Sequence, residues 1–393
     1  MLRMLSLTLL ALSWHTLTAH SAAMSHKSRA QCQASAHCPP GTILVSTNDK
    51  SADFTTIQSA IDSLPDDTSS QTVLILSGSY KEQLNVTRAG PLTLLGQTSN
   101  SKDATKNKVT ITHAAANQDN TGRIDNVYSS VLIVSPTLDA TLTGSGPTGF
   151  TVPADTPFGN QDFRAYNIDS TNTWAEYSSG PAHALSFSRA NGGFYYCGFY
   201  SYQDTIYVGK LGNAYFYKSI LAGQTDFLYG FGTAWIQSSS VLLRGCGGGI
   251  TAWKGTNTMF ENKYGVYIVD STVKAANASI AWEIKGTCAL GRPWNSLHRS
   301  IFADSYEDGS IQTKGYIDWV VSGVARYEKG ITLMAEYKTF GPGFNATGRR
   351  DGNVTMLLDG KGYEACNTPA KVFQDQVGTF GDISWIDCET VSA

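Results

Sequence analysis

An all-β solenoid of stacked parallel strands is the fold class this sequence predicts, and three observations predict it. First, between Ala182 and Trp253 short runs rich in Tyr, Phe, Ile, Leu and Val alternate with Gly, Asn and Ser, and no proline interrupts them; that texture suits strands and turns rather than helices. Second, Asp204 and Asp226 lie 22 positions apart, each just before a β-prone run, Thr205 to Val208 and Phe227 to Tyr229. A repeat of about 20–25 residues is the length of one solenoid coil. Third, only 16% of the 393 residues are charged, against 11% aromatic and 38 glycines, a balance typical of all-β extracellular proteins rather than helical ones.

Residues 1–23 read as a secretion signal. Arg3 charges the start, Leu5 to Leu12 is an apolar run too short to span a bilayer, and Ala19, Ser21, Ala22 and Ala23 offer a cleavage site. Residues 24–40 read as a flexible lead, and 41–393 as one elongated domain without an internal linker. In Ala52 to Pro65, Ile57, Ala60, Ile61 and Leu64 fall at helical spacing and Pro65 stops the pattern; a short helix is predicted there, suited to capping the first open coil.

From Thr72 onward apolar runs separated by turn residues predict strands: TVLIL, YKEQLNV and LTLLG, then VLIVSP, FTVPADTP and FRAYNIDS. Asn100 to Gly122 is polar and reads as a surface excursion. In the regular segment, strands are expected near Ala184, Phe194, Thr205, Ala214, Phe227, Ala234, Val241 and Ile250, followed by Tyr264 to Val273, Tyr316 to Val321 and Ile331 to Tyr337. Cys288 to Ser296 and Gly341 to Phe344 read as turns, and Lys371 to Gln376 as a short helix.

A net charge of −3 leaves no broad basic surface for nucleic acid, and no later stretch is long and apolar enough for a membrane helix. The sequons at Asn85, Asn277, Asn345 and Asn353 agree with secretion. Of seven cysteines, Cys32–Cys38 and Cys366–Cys388 are plausible local bridges, Cys197 reads as buried, and the odd count leaves at least one unpaired. No Cys/His spacing suggests a metal site, and no metal or cofactor is expected.

Were Asp204 and Asp226 stacked on neighbouring coils, about 4.8 Å apart in backbone spacing, they could not both ionise freely, and one would become an acid while the other stays a carboxylate. Spacing alone equally fits two unrelated loop aspartates. The segments ADFTTIQSAIDSLP, GSYKEQL, YQDTIY, TDFLYG, ALGRPWNS and EYKTFGPG occur in one order over roughly residues 52–343, and in that order the chain resembles the pectin methylesterases. The resemblance implies a right-handed parallel β-helix that hydrolyses methyl esters on pectin galacturonates. It implies Asp226 as nucleophile, Asp204 as acid and then base, Gln203 as oxyanion donor and Arg292 as the clamp on Asp226. Trp294, Tyr207 and Tyr229 would line the sugar cleft. The chemistry suits these residue types: a guanidinium favours a bidentate carboxylate, and an amide N–H suits a developing oxyanion. Taken singly, Arg292 could be a surface guanidinium and Trp294 a core or rim aromatic.

The chain departs from the family at GPAHALSF, where Pro181 stands in place of a glutamine that would donate to the oxyanion; proline offers neither side-chain donor nor N–H. His183, two residues on and on the same strand face, is either a replacement donor for substrate or a packed histidine. The expected partner is methyl-esterified homogalacturonan, met by a monomer, with no nucleic acid or membrane. The alternative is a weakly active or non-catalytic secreted pectin-binding protein. Pectate lyases would need a calcium-binding carboxylate cluster, which is not evident. Glycosidases also use paired carboxylates, but they would not account for Gln203 together with Arg292. Aspartic proteases would need two Asp-Thr-Gly turns, which Asp204-Thr205-Ile206 and Asp226-Phe227-Leu228 do not match.

Overall fold

The computed structural model describes Cys32 and residues 38–117, 125–144, 150–153, 155–255 and 261–391; the expected leader and most of the expected lead segment lie outside them. The chain coils into a parallel β-helix with three long faces. One face is an 11-stranded sheet running from Ile43–Val45 to Met356–Leu357, with every neighbouring pair parallel. A second face has eight strands, from Gly78–Lys81 to Tyr306–Glu307. The third has six: Leu84–Val86, Leu132–Val134, Leu185–Phe187, Ile206–Val208, Leu228–Gly230 and Thr251–Trp253. Alternating side chains of all three faces meet in one interior holding Leu185, Phe187, Phe194, Phe199, Ile206, Phe216, Leu228 and Ile236.

The coil corners explain why this sequence can wind so tightly. Each of seven strands of the 11-stranded sheet is followed by a residue in the left-handed region: Asn167, Tyr196, Lys218, Ser238, Asp270, Asp304 and Lys338, with φ between 47° and 56°. Asn and Asp tolerate that conformation best; the others adopt it because the coil ladders on either side over-determine the turn. Just beyond the corner a ladder of hydroxyls runs up the solenoid. The backbone N–H of Cys197 donates to Ser219 Oγ, that of Ser219 to Ser239 Oγ, that of Ser239 to Ser271 Oγ and that of Ser271 to Ser305 Oγ, at 3.0–3.1 Å. Buried N–H groups that the sheet ladders leave unpaired are satisfied in this way.

The predicted helix forms as Ile57–Asp62, with Ile57, Ala60 and Ile61 buried. Thr56 caps it, and the Glu82 carboxylate from a later coil takes the N–H groups of Ile57 and Gln58 at 2.9 Å each, an anion placed where the helix end is positive. Strands form at nearly every expected site between Ala182 and Val273. The structure also corrects several expectations. Residues 150–153 and 155–157 form no strand, and Lys371 to Gln376 makes no helix beyond the short turn Pro369–Lys371. Tyr316 to Val321 joins no long sheet; Val320–Val321 pairs with Val324–Ala325 in an antiparallel hairpin. The polar stretch after Asn100 contains the strand Val109–His113, because Val109 and Ile111 point inward while its threonines face out. Cys246 bonds to Cys288, not foreseen, whereas Cys366 and Cys388 are both free. Cys32–Cys38 forms as expected. Cys197 is buried, and burial pushes its thiol up to about 12.

The late coils are tied by a buried charged cluster. Arg349 donates to Glu336 through Nε at 2.6 Å and to Glu307 through Nη2 at 2.6 Å, and its Nη1 caps the carbonyls of Gln312 and Thr313. All three charged side chains are 0% exposed. Burial, and then the Glu336 charge, drive the Glu307 carboxyl well above its ordinary range. Removing the cation strands two buried acids, so Arg349→Met is expected to cost about 3–5 kcal/mol in denaturant unfolding; a loss under about 1 kcal/mol would show the cluster to be dispensable.

Candidate active site

Asp204 and Asp226 stand at equivalent corners of consecutive coils. Ile206 pairs with Leu228 and Gln203 with Thr225, so Asp226 lies directly over Asp204. The same register carries on to either side: the Asp204 N–H donates to Thr225 O at 3.0 Å and the Asp226 N–H to Gly249 O at 2.7 Å. Both aspartates hold a left-handed backbone, φ 58° and 48°, which bends the chain sharply before each strand and turns both side chains to the outer side of the six-stranded sheet. Aspartate accepts this conformation more readily than most residues, so the turn and the acid are met by one residue.

Both carboxyls are nearly closed off from solvent, at 6% and 4% exposure. Arg292, from the turn after Cys288, grips Asp226 bidentately: Nε to Oδ1 at 3.0 Å and Nη2 to Oδ2 at 2.6 Å. Its approach runs over Gly248, where a Cβ would lie 2.6 Å from the guanidinium carbon and where φ is +68°, so a side chain there would displace the clamp. Burial raises the Asp226 carboxyl from its ordinary value, and Arg292 works against that rise. Among the described residues no cation is bonded to Asp204. Burial, reinforced by the Asp226 charge, drives it well above the carboxylate range, with Lys254 and Arg292 opposing from farther away. The pair is therefore split in the direction that makes Asp204 the acid and Asp226 the carboxylate.

Gln203 accepts from the Gly180 N–H through Oε1 at 3.2 Å, which directs its NH₂ group away from that backbone. The sequence reading missed Asn126. Its Nδ2 donates toward Asp204 Oδ2 at 3.4 Å and Tyr229 OH at 3.2 Å, while its Oδ1 accepts from Asn117 at 2.8 Å. The Asn117 N–H in turn donates to the carbonyl of Pro181. Nothing near residue 126 in the sequence marks it; 78 residues separate it from Asp204.

Beside Arg292 stands a wall of aromatics and cations. The Arg292 guanidinium lies 3.6 Å from the Trp319 ring centre, and Trp319 meets Trp294 edge-on at 4.8 Å. Arg326 covers Trp319 at 4.5 Å, Lys254 covers Trp294 at 4.1 Å, and Phe231 lies between Lys254 and Lys210. Trp319, Lys254, Arg326 and Lys210 were not singled out from the sequence either. Among the described residues no group of three His, Cys, Asp or Glu side chains is placed to hold a metal, and no helix is long and apolar enough to cross a membrane.

The profile of the Pectinesterase family matches residues 145–361, more than half of the chain. Probable pectinesterase A of Aspergillus niger is 30% identical over 352 residues, covering 89% of this chain and 92% of its own. The chain belongs to the pectinesterase family. A pectinesterase of Aspergillus aculeatus is likewise 30% identical, over 82% of this chain and 86% of its own. Among solved structures, the pectin methylesterase of A. niger in deglycosylated form superposes with a TM-score of 0.66 at 26% identity, over 90% of this chain and 98% of that one. The carrot pectin methylesterase shares the fold at 22% identity, with a TM-score of 0.66 over 85% of this chain and 94% of its own. The family is one of carboxylic ester hydrolases.

In this pectinesterase the structure brings Asp204, Asp226, Gln203 and Arg292 to one corner, with Trp294 on the adjoining wall. Tyr207 and Tyr229 lie beneath that corner with ring centres 5.0 Å apart and planes tilted by 40°, and both are buried rather than lining an open cleft as expected. His183 does not reach the cleft, which corrects the expectation that it donates to substrate. It is 0% exposed, its Nε2 is 2.6 Å from Tyr229 OH, and its Nδ1 faces Ser186 Oγ at 2.8 Å and Ser130 Oγ at 3.2 Å. The register that puts Leu185 beneath Ile206 puts His183 beneath Asp204, so it supports the floor of the site. Burial lowers its pKa to about 3. The unfolded chain therefore binds a proton that the folded chain refuses, and stability contributed by this ring is present above about pH 6.5 and lost as pH falls toward 3, by up to about 1.4 kcal/mol per pH unit. The imidazole NMR signals of His183 are expected to stay neutral between pH 5 and 8, and His183→Gln to flatten the acid limb of the stability profile.

Proposed function

We propose that this pectinesterase hydrolyses the methyl esters of galacturonate units in pectin, releasing methanol and leaving free carboxylates. The carrying observation is the bidentate Arg292–Asp226 pair at the corner it shares with a second, more strongly perturbed acid, Asp204. In this reading an Asp226 oxygen attacks the ester carbonyl carbon. Charge gathers on the carbonyl oxygen, where the Gln203 amide donates. The C–OCH₃ bond then breaks, and Asp204 gives its proton to the departing oxygen, releasing methanol. The resulting anhydride of Asp226 is opened by water, whose proton returns to Asp204. The product carries water's second proton, sheds it to solvent and leaves as the uronate, and Asp226 is again a carboxylate held by Arg292. Arg292 keeps the nucleophile ionised in a buried setting that would otherwise protonate it, and the Trp294 wall receives the sugar rings.

The protein is proposed to work outside the cell as a monomer, with residues 1–23 removed as a leader, 24–40 as a lead and 41–393 as its single working body. The sequons Asn277 and Asn345 use Oδ1 to cap short helices, and both residues are exposed. Their amide nitrogens are thereby left for glycans.

Methanol release from methyl-esterified homogalacturonan by the purified protein tests the reaction. Asp226→Ala is expected to abolish it, and Gln203→Leu to lower kcat by about 10²–10³ with a smaller effect on KM. Release by the intact protein no greater than by Asp226→Ala, with pectin still bound, would favour the non-catalytic binder. Arg292→Gln removes the group that opposes the rise in the Asp226 pKa, so the acid limb of kcat/KM is expected to move to higher pH; an unmoved limb would mean that another group sets it.

A further inference from the structure

One amide reaches the Asp204–Asp226 corner from outside the column of coils, and the proposed ester chemistry assigns it no task. Asn126 opens the short turn Asn126–Ser129. The turn is pinned on both sides of that residue. The buried Asp125 carboxylate accepts from the N–H groups of Val127, Thr143 and Gly144 at 2.8–3.0 Å, and Ser129 Oγ donates to the Asn126 carbonyl at 2.6 Å. The side chain is held as well. Its Oδ1 accepts from Asn117 Nδ2 at 2.8 Å, and the Asn117 N–H donates to the Pro181 carbonyl at 3.0 Å. Pro181, which stands in place of a glutamine donor, is thus the anchor of an asparagine pair. With Oδ1 engaged, Asn126 Nδ2 faces Asp204 Oδ2 at 3.4 Å and Tyr229 OH at 3.2 Å. Among the described residues no other side chain is bonded to an Asp204 carboxyl oxygen. Asp204 is otherwise faced by the Asp226 charge from the next coil, by Lys254 and Arg292 at a distance, by the Tyr229 phenol, and by His183, which burial keeps neutral. Asp125, next to Asn126 in the chain, acts on Tyr229 and Lys254.

We propose that Asn126 is a positioning residue for the acid: its amide holds one oxygen of Asp204 and stabilises the carboxylate that Asp204 becomes as methanol departs. The inference rests on the proposed reaction and adds a residue to it. An NH₂ group only donates, so it bonds Asp204 through an oxygen that bears no proton. The proton to be given therefore sits on Oδ1. As the C–OCH₃ bond breaks, its electron pair goes to the methanol oxygen, the Oδ1 proton follows, and the negative charge left behind is shared by both Asp204 oxygens. The Asn126 contact is long while Asp204 is neutral and becomes charge-assisted once Asp204 ionises, so it strengthens along the reaction coordinate. Arg292 does not perform this task, because both of its bonds to carboxylate go to Asp226.

Two measurements test this. The first compares kcat/KM on methyl-esterified homogalacturonan with that on the same polymer carrying trifluoroethyl esters, whose alkoxide leaves with far less help from an acid. Asn126→Leu keeps the shape of the side chain and removes the donor. It is expected to lower the methyl-ester value about 10- to 100-fold, the worth of a hydrogen bond to a charged group, and the trifluoroethyl value less than about threefold. Asn117→Ala leaves the amide present but unanchored, and is expected to act in the same direction by a smaller factor. Equal losses on both esters would overturn the assignment, since a lost oxyanion donor or a general structural defect slows both alike. The second measurement needs no turnover. The Asp204 carboxyl carbon, identified by its loss in Asp204→Asn, is followed by NMR as pH is varied. Removing a donor to the charged form is expected to move this titration to higher pH in Asn126→Leu. An unmoved titration would sink the proposal even where methanol is released. A native protein that releases no methanol, with the titration still shifted by Asn126→Leu, would instead overturn the reaction and leave the amide's hold on Asp204 standing.

Discussion

The parallel register between consecutive coils is the constraint on which the rest of the molecule depends. Backbone hydrogen bonding pairs Ile206 with Leu228 and Leu185 with Ile206, and strand spacing follows at about 4.8 Å. With that spacing set, His183, Asp204 and Asp226 become successive rungs of one column, and the chemistry of each is decided by the rung above and below it. A slip of one residue in the coils that carry them would turn Asp204 or Asp226 to the wrong face. The left-handed corners and the serine ladder from Ser219 to Ser305 matter for the same reason: they hold each coil in phase with the last.

Packing two carboxylic acids this closely and away from water is costly, and the molecule meets that cost in two ways. At the Arg349 cluster, a cation with no exposure binds two glutamates and two backbone carbonyls, and the result braces the late coils. At the Asp204–Asp226 corner the cation is committed to one acid. Arg292 bonds Asp226 through both oxygens, while Asp204 receives amide contact from Asn126 and only distant positive charge. That asymmetry pushes Asp204 further toward the protonated form than Asp226, whose rise Arg292 opposes. The uncharged floor of His183, Tyr207 and Tyr229 keeps water out and so preserves the difference.

Much of this was legible because the code is local. Strand runs from Ala182 to Val273 repeat at the coil period, so their positions and the inward residues follow from counting, while the spacing of the two aspartates left their stacking open. The helix at Ile57–Asp62 is announced by its apolar spacing and by Pro65. The misses have physical causes as well. Val109–His113 is hidden in a polar stretch because only Val109 and Ile111 face the core. Tyr316–Val321 has the composition of a strand, but the coil passes the sheet there and leaves a hairpin outside. Cys366 and Cys388 have the spacing of a bridge without the geometry, and Cys246–Cys288 has the geometry across 42 residues.

The sequence by itself determined the class of fold and the coil period, because both are written in short local runs, and its family-like motifs pointed to Asp204, Asp226, Gln203, Arg292 and Trp294. Tertiary structure alone decided that His183 supports the floor rather than facing substrate, that Asn126 reaches Asp204, and that Lys210, Lys254 and Arg326 converge beside Trp319. Those relations join coils dozens of residues apart. Burial and electrostatics depend on distance in space, and no local pattern in the chain encodes which side chains will share a low-dielectric pocket.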